Sequence, residues 1–192
     1  MTYNLDRHAQ SVQEATNQSA SGKFQLVELT AVLDHGTAYA KGDVLFNTVE
    51  LPNFFPRIGM AAKIESLVII DEYQMAPDLT LYLTTNSGNF GTINETAGAA
   101  DSVMTHIQCV IPVVAADYQN HGDYLDTCAI ANITSAINTP STRAISGIGT
   151  IVQADSDSTS IYACAVLQSS AGEDWSSGEA NDLKFKIGVS YC

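Results

Sequence analysis

At 192 residues with 45% hydrophobic content, the chain can bury a sizeable core in one domain, and disorder throughout is excluded. Aspartate and glutamate number 21 against 8 lysines and arginines; the formal charge of −13 repels phosphate backbones, so no nucleic-acid partner is expected. With only 15% charged residues, the surface makes its contacts largely through the hydroxyls and amides of Ser, Thr and Asn.

Residues 1 to 22 read as an N-terminal arm, polar apart from a weak helical stripe of Leu5, Ala9 and Val12 that is followed by the spacer "ATNQSASGK". A segment of this kind cannot bury enough surface to repay its own ordering cost of about 1 to 2 kcal/mol per residue. It is expected to dock on a partner or a neighbouring subunit, with Leu5, Arg7, His8 and Val12 as contact residues. No basic stretch leads into an apolar run, so no export signal is expected, and no run of apolar residues reaches membrane-spanning length. No membrane partner is expected, and the mature chain is read as starting at Met1.

Residues 23 to 192 read as one all-β domain. In "FQLVELTAVLD" Val27, Leu29, Ala31 and Leu33 alternate with Glu28, Thr30, Val32 and Asp34, the period of a half-buried strand. A Gly-Asp turn or bulge at Gly42 and Asp43 redirects the chain into "VLFNTVEL". "KIESLVIIDE" becomes apolar on both phases from Leu67 to Ile70, as in a central strand covered on both sides. "DLTLYLTT" places Leu79, Leu81 and Leu83 inside and Asp78, Thr80, Tyr82 and Thr84 outside. Pro112 in "IQCVIPVVAA" cannot donate to a ladder and marks an edge strand or a bulge. "CAIANIT", "AISGIGTIVQA" and "SIYACAVLQS" follow, and "LKFKIGVSY" closes with Leu183, Phe185, Ile187, Val189 and Tyr191 on one face. About eight to ten short strands joined by Ser/Gly/Asn/Asp turns predict an antiparallel β-sandwich of jelly-roll type. Two polar excursions, "TTNSGNFGTINETAGAADSVMTH" and "AADYQNHGDYLDT", are expected to carry contacts.

Catalytic constellations are missing. His8, His35, His106 and His121 form no H-E-x-x-H motif, and His106 with Cys109 lacks a second ligand pair; His106 reads as the lead-in to a strand. "GIGTIV" has two glycines of a dinucleotide fingerprint without the third or a following helix, and no serine sits in a G-x-S-x-G elbow. Asp155 with Asp157 and Asp123 with Asp126 are carboxylate pairs that an acidic chain scatters by chance, although they leave calcium or glycosidase chemistry as alternatives. No cofactor, metal or enzymatic activity is therefore predicted. Cys109, Cys128, Cys164 and Cys192 read as thiols in a reducing compartment. Tyr118, Tyr124 and Trp175, set in polar segments, are candidate surface-contact aromatics, or rings folded back over the ends of the domain.

Three stretches, "AYAKGDVL", "IESLVIIDE" with "PDLTLYLTT" soon after, and "IYACAVLQSSAGEDWSSGEANDLKFKIGVSY", together about half the chain, resemble the head decoration or cement proteins of tailed bacteriophages. The resemblance implies a jelly-roll that assembles in the host cytoplasm, binds the major capsid protein on the capsid exterior and stabilises the shell, often as a homotrimer. The competing reading is a receptor- or glycan-binding module of a phage tail fibre or cell surface, with Tyr118, Tyr124 and Trp175 as its contacts.

Overall fold

A computed structural model describes residues 24–120, 129–134, 148–169 and 183–191, with the backbone alone for residues 120 and 129–134. The elements, in chain order, are β1 (Phe24–Thr30), β2 (Val44–Leu51), β3 (Ala61–Asp71), β4 (Leu79–Thr84), a single helical turn α1 (Asp101–Met104), β5 (Ile107–Val113), a 3-10 turn (Ala115–Asp117), β6 (Tyr118–Asn120), β7 (Ala129–Thr134), β8 (Ile151–Gln153), β9 (Ile161–Leu167) and β10 (Leu183–Tyr191). The described residues are all-β apart from these two short helical turns and form two antiparallel sheets. One is six-stranded, in the order β1-β10-β3-β7-β6 with β8 beside β3; the other is four-stranded, in the order β2-β9-β4-β5.

The alternating residues of β1 and β10 face one common core. Val27, Leu29, Leu183, Phe185, Ile187 and Val189 are buried there with Leu79, Leu81 and Leu83 of the opposite sheet, and the Phe46 and Phe185 rings meet across the sheets at 5.6 Å between centroids. β5 is the last strand of its sheet, so Pro112, opposite Thr80, stands where a missing N–H costs the ladder least. At the far side Gln108 clamps the sheets: its Nε2 donates to Gln153 O at 3.0 Å and its Oε1 accepts from Gln153 N at 2.6 Å.

β3 departs from expectation in its covering. Ala62, Ile64, Leu67, Ile69 and Asp71 are buried, whereas Val68 and Ile70 are only half-buried. The register with β10 shifts between Gly188 and Val189, where Ser66 pairs with Gly188 but Ile64 pairs with Val189. This bulge adds a residue to β3 and moves the inward phase from even to odd positions, so the run Leu67 to Ile70 alternates after all.

β4 departs the other way. Thr80 and Thr84, expected outside, are buried, and Tyr82 is half-buried. The cover is the excursion between β4 and β5, which folds back across the outer face of its own sheet. Phe90 and Val103 join Val44, Cys164 and Val166 in a second, smaller apolar cluster, with Tyr82 packed on Phe90 at 5.1 Å between ring centroids. The excursion is pinned to β2: Thr48 N donates to Asn89 Oδ1, Val44 N to Glu95 O and Asn94 N to Val44 O. β9 consequently lies between two apolar layers, with Ile161, Ala163, Ala165 and Leu167 in the main core and Cys164 and Val166 in the smaller one.

The Gly-Asp pair is a turn. Asp43 N donates to Ala40 O at 3.1 Å, the Asp43 carboxylate accepts from Ala40 N at 2.7 Å, and Gly42 sits between them at φ 93°, a left-handed conformation that suits glycine. Gly42 also bonds Leu167 O through its N–H and accepts from Ala97 N, so one turn joins the start of β2 to β9 and the excursion.

Candidate interaction surface

Of the contact residues read from the sequence, Leu5, Arg7, His8, Val12, Tyr124 and Trp175 lie outside the described residues, as do Cys128 and Cys192. Tyr118 is described: it opens β6, is half-buried, and packs against the main core.

The outer face of the six-stranded sheet includes the start of β1. Because Val27 and Leu29 point inward, Phe24, Leu26, Glu28 and Thr30 point outward, and two of these four are large and apolar. Phe24 is 71% exposed and Leu26 55%. Across the strands Leu26 pairs with Gly188 and Gly188 with Ser66. Gly188 has no side chain for Leu26 to lean on, and a Cβ there would meet Ser66 Oγ at 2.4 Å, so the row stays low. The result is a shallow apolar groove lined by Phe24, Gln25, Leu26, Ser66 and Gly188.

Ion pairs lie along the same sheet. Lys186 Nζ lies 3.0 Å from Glu28 Oε1, Lys184 pairs with Glu72, and Lys63 with Glu65 at 3.0 Å. The Glu65 carboxyl is held below its ordinary range by the Ser190 hydroxyl, which donates to it at 2.6 Å, and secondarily by Lys63. These lysines are spoken for by acids of their own sheet, so the outer face offers little net positive charge.

At the opposite end of β1, Asn94 ties the excursion to the β1–β2 connection, its Nδ2 donating to Asp34 Oδ2 at 3.0 Å and Thr37 O at 2.9 Å. The Asp34 carboxyl is lowered by that amide first and by Gly36 N–H second. Tyr39, buried nearby, accepts from Asp34 N and donates to Leu45 O at 3.1 Å; burial pushes its hydroxyl up to about 12.

Nucleophile and metal chemistry find little footing on these side chains. Cys109 and Cys164 are buried thiols, pushed by desolvation to about 11 and about 12. His106 is exposed in the turn before β5, its Nδ1 2.7 Å from Ser102 O, while Cys109 faces the core, so the two do not form a ligand pair. Among the described residues no group of three or more His, Cys, Asp or Glu side chains could hold a metal ion, and no helix is long and apolar enough to cross a membrane. The described outer face presents exposed apolar area at Phe24 and Leu26.

The signal for this surface was present in the sequence. Phe24 and Leu26 fall on the same phase as Glu28 and Thr30, the polar phase of β1, and large apolar residues on a polar phase mark a face with something still to cover. Comparison with protein-family models gives no match, and comparison with curated proteins gives none either.

Proposed function

We propose that this chain is a structural virion protein that binds the outer surface of a phage capsid and stabilises it. The observation that carries this reading is the strand order. β1-β10-β3-β7 in one sheet and β2-β9-β4-β5 in the other, with every neighbouring pair antiparallel, is the arrangement that two interlocked Greek keys produce, and we read the fold as a jelly-roll sandwich. Jelly-rolls recur in viral capsid and lectin domains. The exposed apolar strip at Phe24 and Leu26, at the start of β1, favours a protein contact there. In this reading the arm, with Leu5, Arg7, His8 and Val12, extends that contact onto the major capsid protein, and the function is binding alone. Each Å² of apolar surface covered at such a contact contributes roughly 25 cal/mol before the entropic costs of association.

Antibody labelling of purified particles, combined with counting copies per particle, tests the reading. Hundreds of copies spread over the head are expected. A few copies confined to the tail would replace it with the receptor- or glycan-binding alternative.

A further inference from the structure

Residues 52–60 join β2 to β3 and so carry the chain from one sheet to the other. The connection is held from within. Phe54 and Phe55 are buried in the main core with ring centroids 5.0 Å apart, Phe55 N donates to Thr159 O at 2.9 Å, and Ala154 N donates to Met60 O at 2.8 Å. Between these anchors the chain turns outward: Met60 N donates to Arg57 O at 3.3 Å, Gly59 takes φ 75°, and Pro56, Arg57, Ile58 and Gly59 are exposed, Ile58 by 55%. Anchored on both sides and opened by a proline, the tip has little ordering left to do on binding. Its charge is also uncommitted. Lys63, Lys184 and Lys186 are paired with acids, whereas Arg57 and Lys41, beyond opposite ends of β2, have no ion-pair partner among the described residues. Even Asp155 and Asp157, in the turn that follows Ala154, form no ion pair with Arg57. Lys41 lies between Ala40 and Gly42, but Arg57 stands beside a large exposed apolar side chain. The Tyr191 hydroxyl ties the connection to the start of β1, donating to Phe54 O at 3.0 Å and also contacting Gln25 Oε1. The tip and the Phe24 and Leu26 strip therefore sit toward the same end of the domain.

We propose that this tip is the charged half of the contact begun by Phe24 and Leu26: Arg57 receives a carboxylate of the partner protein, and Ile58 enters an apolar pocket beside it. The assignment rests on the reading of the chain as a capsid-binding protein and adds the chemistry of the surface it binds. The planar guanidinium fork matches the two oxygens of a carboxylate. Charge decides among the anions that could meet it. A polyanion, whether nucleic acid or an anionic lipid surface, encounters the field of the whole chain, net −13, and is repelled. A single carboxylate set in an uncharged protein surface encounters Arg57 at close range, and acids farther off than the screening length of about 8 Å count for little. Arginine next to a branched apolar residue is the composition of an interface centre, where lysine and glutamate are depleted.

Co-sedimentation of the full chain with purified particles assembled without it measures the binding. Arg57→Glu should raise the dissociation constant about tenfold or more and Ile58→Ser about fivefold, with both thermal melts unchanged because both side chains are exposed. Lys41→Glu makes the same change of charge beyond the other end of β2 and should bind like the parent. Arg57→Lys places an amine where the guanidinium stood, and carbodiimide coupling on the particle should join it, as an amide, to an aspartate or glutamate of the major capsid protein, read by mass spectrometry. Arg57→Glu binding as tightly as the parent, an equal loss in Lys41→Glu, or coupling of residue 57 to another copy of the chain or to nothing would overturn the assignment and leave capsid binding standing. A parent chain that does not bind the particles would overturn both.

Discussion

Replacing Phe90 by alanine asks whether the excursion between β4 and β5 belongs to the fold or merely decorates it. Phe90 is 3% exposed and lies against Tyr82, Val103 and Cys164 on the outer face of the four-stranded sheet. Truncating a buried phenylalanine costs about 3 to 5 kcal/mol, of which the ring pair with Tyr82 accounts for about 0.5 to 1.5. The smaller cluster can collapse in part, which places the expectation near the lower figure, ~3 kcal/mol. In a domain of this size each kcal/mol lowers the melting temperature by about 2 to 4 °C, so a drop of about 6 to 12 °C is expected. Urea denaturation measures the free energy directly, and Cys164 supplies a second readout. Its thiol, held at about 12 by burial, is inert at pH 8 in the parent protein and should become reactive once the ring above it is gone, measured with Cys128 and Cys192 replaced by serine. A loss below about 1 kcal/mol with Cys164 still protected would refute the reasoning, since that is the range of an ordinary surface substitution.

Two further outcomes follow from buried and partly buried carboxylates. Asp71, fully buried at the end of β3, accepts from Tyr73 N at 3.1 Å and Ala76 N at 2.7 Å and so holds a connection in which Gln74 and Ala76 adopt positive φ. Asp71→Ala should cost about 3 to 5 kcal/mol in urea denaturation, and Asp71→Asn, which keeps one acceptor, about half of that. Asp34 and Glu65 are held below their ordinary values of 3.8 and 4.5, so the stability they contribute is complete above those values and is lost as the pH falls through the lower folded ones. The melting temperature should be insensitive to these groups at pH 5 to 7 and decline below about pH 4, and Asn94→Ala should make that decline shallower.

The strands were legible wherever one physical rule acted alone. In β10 the inward positions from Leu183 to Val189 needed only the two-residue period of a strand with one face on the core, and Val27 to Leu33 followed the same rule into the segment after β1. The rule failed where long-range structure reset it. The outer phase of β4 looks solvent-facing in the sequence because the cover over Tyr82 comes from Phe90 and Val103, two isolated apolar residues in a polar stretch with no period of its own. In β3 the bulge opposite Gly188 and Val189 shifts the phase, which pairing with a distant strand decides. β6 was hidden in a segment read as a polar excursion, since three residues are too few to show alternation. On the candidate surface the apolar character of Phe24 and Leu26 was visible, but that they stand on an end strand beside a glycine depends on strand order, which local sequence does not encode.

The double covering of β9 bears on how freely this protein can vary. A strand with one wet face accepts polar changes at every second position, but five consecutive residues from Ala163 to Leu167 are enclosed on alternating sides. Three of them, Ala163, Cys164 and Ala165, are small, which lets both layers approach closely, and any enlargement strains one layer or the other. A saturation screen should therefore find β9 intolerant as an unbroken block, whereas β1 alternates between fixed and permissive sites. Peptide tags or new binding loops are better grafted at turns such as 155–158 than anywhere along that middle layer.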